Sequence, residues 1–197
     1  MTLRTGLLGG TFDPVHFGHL MAAEAAREAA DLEEVWFVPV RVPPHKAAPA
    51  ASARQRVDML ELAIRGVPHF RVEPVELERP GPSYTIDTVE TLGRRFPDRS
   101  FYLIVGSDMA NDLPNWHRAE ELARRVRFIA LERPGEPVRE EALPELFRER
   151  LMRAPMPPVG IASAEIRRRV REGRSIRFNV PEPVQENIAG NGLYAEN

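Results

Sequence analysis

Cysteine is absent from all 197 residues. Disulfides, thiolate nucleophiles and cysteine-based zinc sites are therefore excluded. Lysine is nearly absent as well: of 27 basic residues only Lys46 is not arginine. A strong charge of one sign is also missing. With a formal net charge of -2, the chain lacks the overall basic excess that drives nonspecific binding to nucleic acid. No apolar run approaches the roughly 18 residues a membrane helix requires. The opening "MTLRTGLLGG" is too short and too glycine-rich for a signal peptide, so the cytoplasm is the expected compartment.

What remains is globular in character, 43% hydrophobic and 28% charged, and long enough for one core of the usual ~100 to 200 residues. Apolar strand patterns alternate with helical ones. "TGLLGG" reads as a first strand and "HLMAAEAAREAA" as a helix, followed by the strand "EVWFVPV" at 34–40. The segment 53–66 carries Val57, Leu60 and Ile64 at helical spacing. "HFRVEPVEL" reads as a third strand, "YTIDTVETLGRRF" as a helix with Ser83 as its N-cap, and "SFYLIVG" at 100–106 as a fourth strand. The helix "HRAEELARR" and the strand "VRFIALER" follow. This alternation predicts an α/β fold: a mostly parallel sheet with helices on both faces. The proline-rich stretches 39–49, 133–137 and 154–158 read as loops, too short for interdomain linkers. A basic helix from about Ser163 and the segment "VPEPVQENIAGNGLY" read as a small C-terminal helical appendage on the carboxyl side of the sheet.

The densest chemistry lies in "GLLGGTFDPVHFGHL", residues 6–20. In open parallel sheets the first strand-to-helix turn is the usual phosphate cradle. Gly9 and Gly10 let backbone amides approach an anion, and a helix N-terminus adds donors and partial positive charge. The loop lacks the Gly-Lys-Ser/Thr ending of a Walker loop and is not a dinucleotide fingerprint. His16 and His19, three residues apart, share one face of the first helical turn. Both can donate to phosphate oxygens, and a nearby triphosphate favours their protonated forms. Asp13, the one acidic residue here, either fixes the turn or orients a substrate. His45, His69 and His117 show no metal-ligand spacing and read as structural or surface residues.

"GTFDPVHFGH" resembles the signature of the nucleotidyltransferase superfamily, whose His-x-Gly-His loop contacts the phosphates of a nucleoside triphosphate. Within it the chain resembles, essentially end to end, the bacterial nicotinate mononucleotide adenylyltransferases. The resemblance implies one Rossmann-like nucleotidyltransferase domain over 1–197, with a helical part from about residue 160. It also implies adenylyl transfer from ATP to nicotinate mononucleotide, giving deamido-NAD and pyrophosphate in NAD biosynthesis. Magnesium arrives with ATP, held by phosphates and water rather than by a protein metal site. Nucleic acid and membrane are not expected partners, and self-association into a homo-oligomer is left open.

Residue by residue, the resemblance implies that Gly9, Gly10, Thr11, Phe12, His16 and His19 meet ATP, with Thr11 and Asp13 also near the second substrate. Lys46, in "VPPHK", lies near the substrate phosphates; as the lone lysine it is a compact mobile charge. In "VGSDMANDLPNWH", Gly106 permits close approach of the nucleotide and Asp108 accepts from a ribose hydroxyl. Trp116 by itself reads as a core anchor, and with the resemblance as a face that stacks on the pyridine. Tyr84 and Thr85, at the start of a helix, would hold the substrate carboxylate.

"GIASAEIRRRV", residues 160–170, is similar to the superfamily's second signature, commonly Ile-Ser-Ser-Thr-x-Ile-Arg. Ser163, as a helix cap, and Arg167 fit it; Ala162 and Ala164 depart from its hydroxyl residues. Catalysis would fall to His16, His19, Lys46 and Arg167. The alternatives are a phosphopantetheine or other small-substrate adenylyltransferase, a more distant cytidylyltransferase, and a nucleotide-binding regulator without turnover.

Overall fold

The computed structural model describes residues 2–41, 48–79, 81–132, 135 and 137–195. In chain order it contains β1 (Leu3–Gly10), α1 (Phe17–Ala30), β2 (Glu34–Pro39), α2 (Ala53–Ala63), β3 (Phe70–Val72), α3 (Thr85–Arg95) and β4 (Arg99–Gly106). Then come α4 (Ser107–Asp112), α5 (Ala119–Arg125), β5 (Arg127–Glu132), α6 (Glu145–Arg148), β6 (Leu151–Pro155), α7 (Ser163–Arg171) and α8 (Glu182–Gly190).

Among the described residues one six-stranded sheet has the order β3-β2-β1-β4-β5-β6, with all five pairings parallel. The central strands are near-continuous apolar runs because both faces are covered. One core lies between the sheet and α1, α2, α7 and α8, around Phe12, Phe37, Met59, Ile166 and Val184. The other, around Trp36, Ile86, Leu92, Leu113 and Phe128, lies under α3 to α6. The order reverses between β1 and β4. Ligands of such sheets bind outside the carboxyl ends of the strands at that switch point, here beside Gly10 and Gly106.

Four local expectations change. The third strand is three residues, not nine: Pro74 offers no amide to a ladder, and Val75 and Glu76 turn inward instead. Residues 151–155, expected to be loop from Ala154 onward, form the edge strand β6. On α2 Leu60 and the following Ile64 are buried as expected, but Arg56 and Met59 share that face and Val57 is only half-buried. Neither serine placed before a helix caps it. Tyr84 and Ala162 hold the N-cap positions of α3 and α7 without side-chain caps.

Candidate active site

β1 delivers the chain to Gly9 and Gly10. Gly9 is exposed, and a Cβ added there would meet nothing within 4 Å, which leaves the backbone open to an incoming anion. A Cβ on Gly10 would lie 2.9 Å from the Phe12 ring, so glycine is required there. Phe12 itself is buried and adopts φ 50°. That left-handed conformation costs a bulky residue on the order of 1–3 kcal/mol unless its surroundings impose it. Here they do, because the loop is tied down on every side.

Asp13 is the main tie. Its carboxylate, 3% exposed, accepts the amides of Ala50 at 2.7 Å and Ala51 at 3.1 Å and the Tyr194 hydroxyl at 2.7 Å. Its backbone carbonyl accepts from Arg167 Nη1 at 2.7 Å. The carboxylate thus fastens the loop to the start of α2 and to the C-terminal tail. Arg56, 1% exposed, donates to the Thr11 carbonyl at 2.7 Å. Burial lowers the Arg56 pKa, and the nearby Asp13 charge opposes that shift. Burial and the bond to Asp13 hold the Tyr194 hydroxyl well above the usual phenol range.

His16 is the N-cap of α1 and His19 lies in its first turn. The backbone amide of His16 donates to His19 Nδ1 at 3.3 Å. With Nδ1 accepting, the neutral ring carries its proton on Nε2. The neutral His19 ring is thereby left with Nε2–H as its donor. The two rings stack with centroids 3.7 Å apart, and the Phe12 ring meets His19 edge-on at 5.0 Å. His16 is buried and His19 half-buried.

The second signature meets the first. Ser163, the first residue of α7, donates its hydroxyl to the Pro14 carbonyl at 2.9 Å. Its proton is spent on the loop, so the anion donors at this helix start are backbone amides. Arg167 lies one turn on, 28% exposed in its side chain, and fixes the loop from the other side.

Across the switch point Gly106 ends β4, and a Cβ on it would lie 2.9 Å from Asp108 Oδ1. Asp108 is exposed in the first turn of α4. Half-buried Trp116 packs against the second core. Beside it, His117 lies against the Tyr84 ring, centroids 4.3 Å apart. The entrance of α3 thereby adjoins the Trp116 segment. Thr85 is the first residue of α3, where helix amides lack internal acceptors. Behind this entrance Glu76 Oε1 accepts from the Thr88 hydroxyl at 2.7 Å, and Ser83 also bonds the carboxyl. Ser83 Oγ in turn accepts the Arg41 amide at 3.3 Å. Burial raises the Glu76 pKa, and those hydroxyls oppose the shift.

His16, His19, Ser163 and Arg167 therefore converge on the first loop, while Tyr84, Thr85 and Trp116 gather across β1 and β4. Lys46 and His45 lie outside the described residues. His69 bonds Glu24 at 3.0 Å, away from the loop. Among the described residues no group of three or more His, Asp or Glu could hold a metal ion, and no helix is long and apolar enough to cross a membrane. Arg56, Glu76 and Tyr194 did not stand out in the sequence. Only Arg56 left a trace, as a cation on the apolar face of its helix.

Residues 7–169 match the family model described as Cytidylyltransferase-like. A protein of Geobacillus thermodenitrificans named "Probable nicotinate-nucleotide adenylyltransferase" is 45% identical over 97% of this chain and 86% of its own length. Proteins of the same name from Thermus thermophilus and Exiguobacterium sibiricum are 45% and 42% identical, each over 98% of this chain and 100% of its own. A solved structure titled Plasmodium falciparum nicotinic acid mononucleotide adenylyltransferase complexed with NaAD superposes with a TM-score of 0.81 at 22% identity, covering 98% of this chain and 97% of that one. It bears on the fold alone. The chain belongs to the cytidylyltransferase-like family and, within it, to the nicotinate-nucleotide adenylyltransferases.

Proposed function

We propose that this protein transfers an adenylyl group from ATP to nicotinate mononucleotide, releasing pyrophosphate and forming deamido-NAD, in the cytoplasm. The observation that carries the proposal is the stacked His16–His19 pair at the start of α1, seated at the sheet's switch point. The 42–45% identity to the named relatives over nearly the full chain supports it.

The substrate phosphate is already ionised at neutral pH. One of its oxygens attacks the α-phosphorus of ATP, the bond from that phosphorus to the β-phosphate oxygen breaks, and pyrophosphate leaves with the electron pair. No general base and no covalent intermediate are needed. Such transfer is accelerated mainly by positioning and charge stabilisation. Gly9, Gly10, Thr11 and Phe12 supply the cradle, His16 and His19 donate to the phosphates, and Arg167 and Lys46 offset the charge. Gly106 and Asp108 receive the nucleoside, Trp116 stacks on the pyridine, and Tyr84 and Thr85 meet the carboxylate. Asp13 acts from behind, holding the loop. Magnesium bound with ATP would be held by phosphate and water oxygens, not by these side chains, and would offset the charge of the triphosphate.

Incubation with ATP and each candidate acceptor, with pyrophosphate release and product mass as readouts, tests the proposal. Nicotinate mononucleotide should support turnover and phosphopantetheine should not. Turnover with phosphopantetheine, or with neither acceptor, would refute it.

A further inference from the structure

Among the described residues, the side chains assigned above stand at the carboxyl edge of the sheet. The opposite edge, where the strands begin, holds a groove of about 780 Å³. It is separated from the site by the eight residues of β4, roughly 25 Å of extended chain. Five arginines line it against one carboxylate, Glu90. Arg99 and Arg127 open β4 and β5, and Arg150 directly precedes β6. Arg127 and Arg150 stand opposite one another, one residue before the Phe128–Leu151 pairing, and Arg99 lies three residues before Tyr102, the partner of Arg127. Arg94 and Arg125 come from the last turns of α3 and α5.

Two of the five are neutralised, Arg99 by Glu34 at 3.0 Å and Arg125 by Glu90 at 3.1 Å. Glu90 is shared with Arg118 at 2.9 Å, so it has little charge to spare. Arg94 reaches only the Thr91 hydroxyl at 3.3 Å. The Arg127 and Arg150 side chains have no hydrogen bond or ion pair among the described residues, and Arg150 is half-buried. Helix dipoles account for arginines at helix C-termini. Arg127 and Arg150 stand two residues past the ends of α5 and α6, at strand starts and outside any last helical turn.

We propose that this groove is a second binding site, for a small anion carrying two or more phosphate groups. Guanidinium forks match phosphate oxygens in pairs, and three uncompensated cations suit a charge of two to four. The volume lies within the ~300 to 1,000 Å³ of small-molecule sites. The concave placement in a chain of net charge -2 favours a small ligand over a nucleic-acid backbone.

Calorimetric titration of the full chain with sodium tripolyphosphate at low salt tests this. The comparison proteins are Arg127→Ala/Arg150→Ala and Gly93→Glu. Gly93 lines the groove, and a Cβ there meets nothing within 4 Å, so this variant places a carboxylate in the wall even where loss of Arg150 disturbs β6. Each variant should bind one equivalent fewer than the parent, or bind it at least tenfold more weakly, with adenylyl transfer unchanged. The same number of equivalents at the same affinity in all three proteins would overturn the proposal, whatever the carboxyl-edge site proves to catalyse.

Discussion

The backbone amide of His16 donates to His19 Nδ1 at 3.3 Å, and the two rings stack with centroids 3.7 Å apart. The pair is one preorganised unit, and removing either ring disturbs the other. His16→Ala and His19→Ala should each lower kcat about a hundredfold or more, the usual cost of losing one donor to developing charge. Binding of ATP should weaken far less. Steady-state kinetics with a nucleotide-binding assay separates the two effects, and near-normal kcat in both variants would end the phosphate-donor role.

Asp13 joins three distant segments through one buried carboxylate. Asp13→Ala would leave the Ala50 and Ala51 amides, the Tyr194 hydroxyl and the Arg56 cation without their anion. A loss of about 3–5 kcal/mol in unfolding free energy is expected, as when one partner of a buried charged network is removed. Tyr194→Phe removes one charge-assisted bond and should cost about 1.5–3 kcal/mol. Denaturant unfolding of both variants measures this, and equal losses would show that Tyr194 alone carries the anchoring.

Much of the frame was legible because its signals are local. Period-2 and period-3.6 apolar patterns locate most strands and helices, and the glycines and paired histidines mark the cradle. Tertiary partners were not legible. Ser83 and Ser163 both stand where a capping serine would, yet Ser83 bonds Glu76 and Arg41, and Ser163 bonds Pro14. In each case a tertiary partner outside the helix takes the serine instead of the local cap. Tyr194 meets Asp13 across 181 positions, a contact that no local pattern encodes. β6 carries no strand signal because an edge strand mixing Met, Arg and Pro lacks alternation.

Glu76 makes a pH-dependent contribution to stability. Its folded pKa lies above the unfolded value of 4.5, chiefly through burial. The folded protein therefore holds a proton that the unfolded chain releases, and stability falls as pH rises from 4.5 toward the folded value. Glu76→Gln keeps an acceptor for Thr88 and cannot ionise. Its stability relative to the parent should improve as pH rises above about 4.5 and level off once pH passes the folded value of Glu76. Thermal unfolding across that range checks this, and a pH-independent difference would contradict it.

The most direct test of the central claim, that the carboxyl edge transfers an adenylyl group to an acceptor whose carboxylate docks at the start of α3, compares nicotinate with nicotinamide mononucleotide. A helix N-terminus favours an anion by about 0.3–1 kcal/mol when exposed and up to about 2 kcal/mol when partly buried. The neutral amide forgoes this and turns an NH2 toward donors. With ATP saturating, kcat/KM should favour nicotinate mononucleotide at least roughly tenfold, equivalent to about 1.4 kcal/mol. Thr85→Ala should narrow the preference only in part, because the backbone amides remain. Equal kcat/KM for the two acceptors would contradict the account.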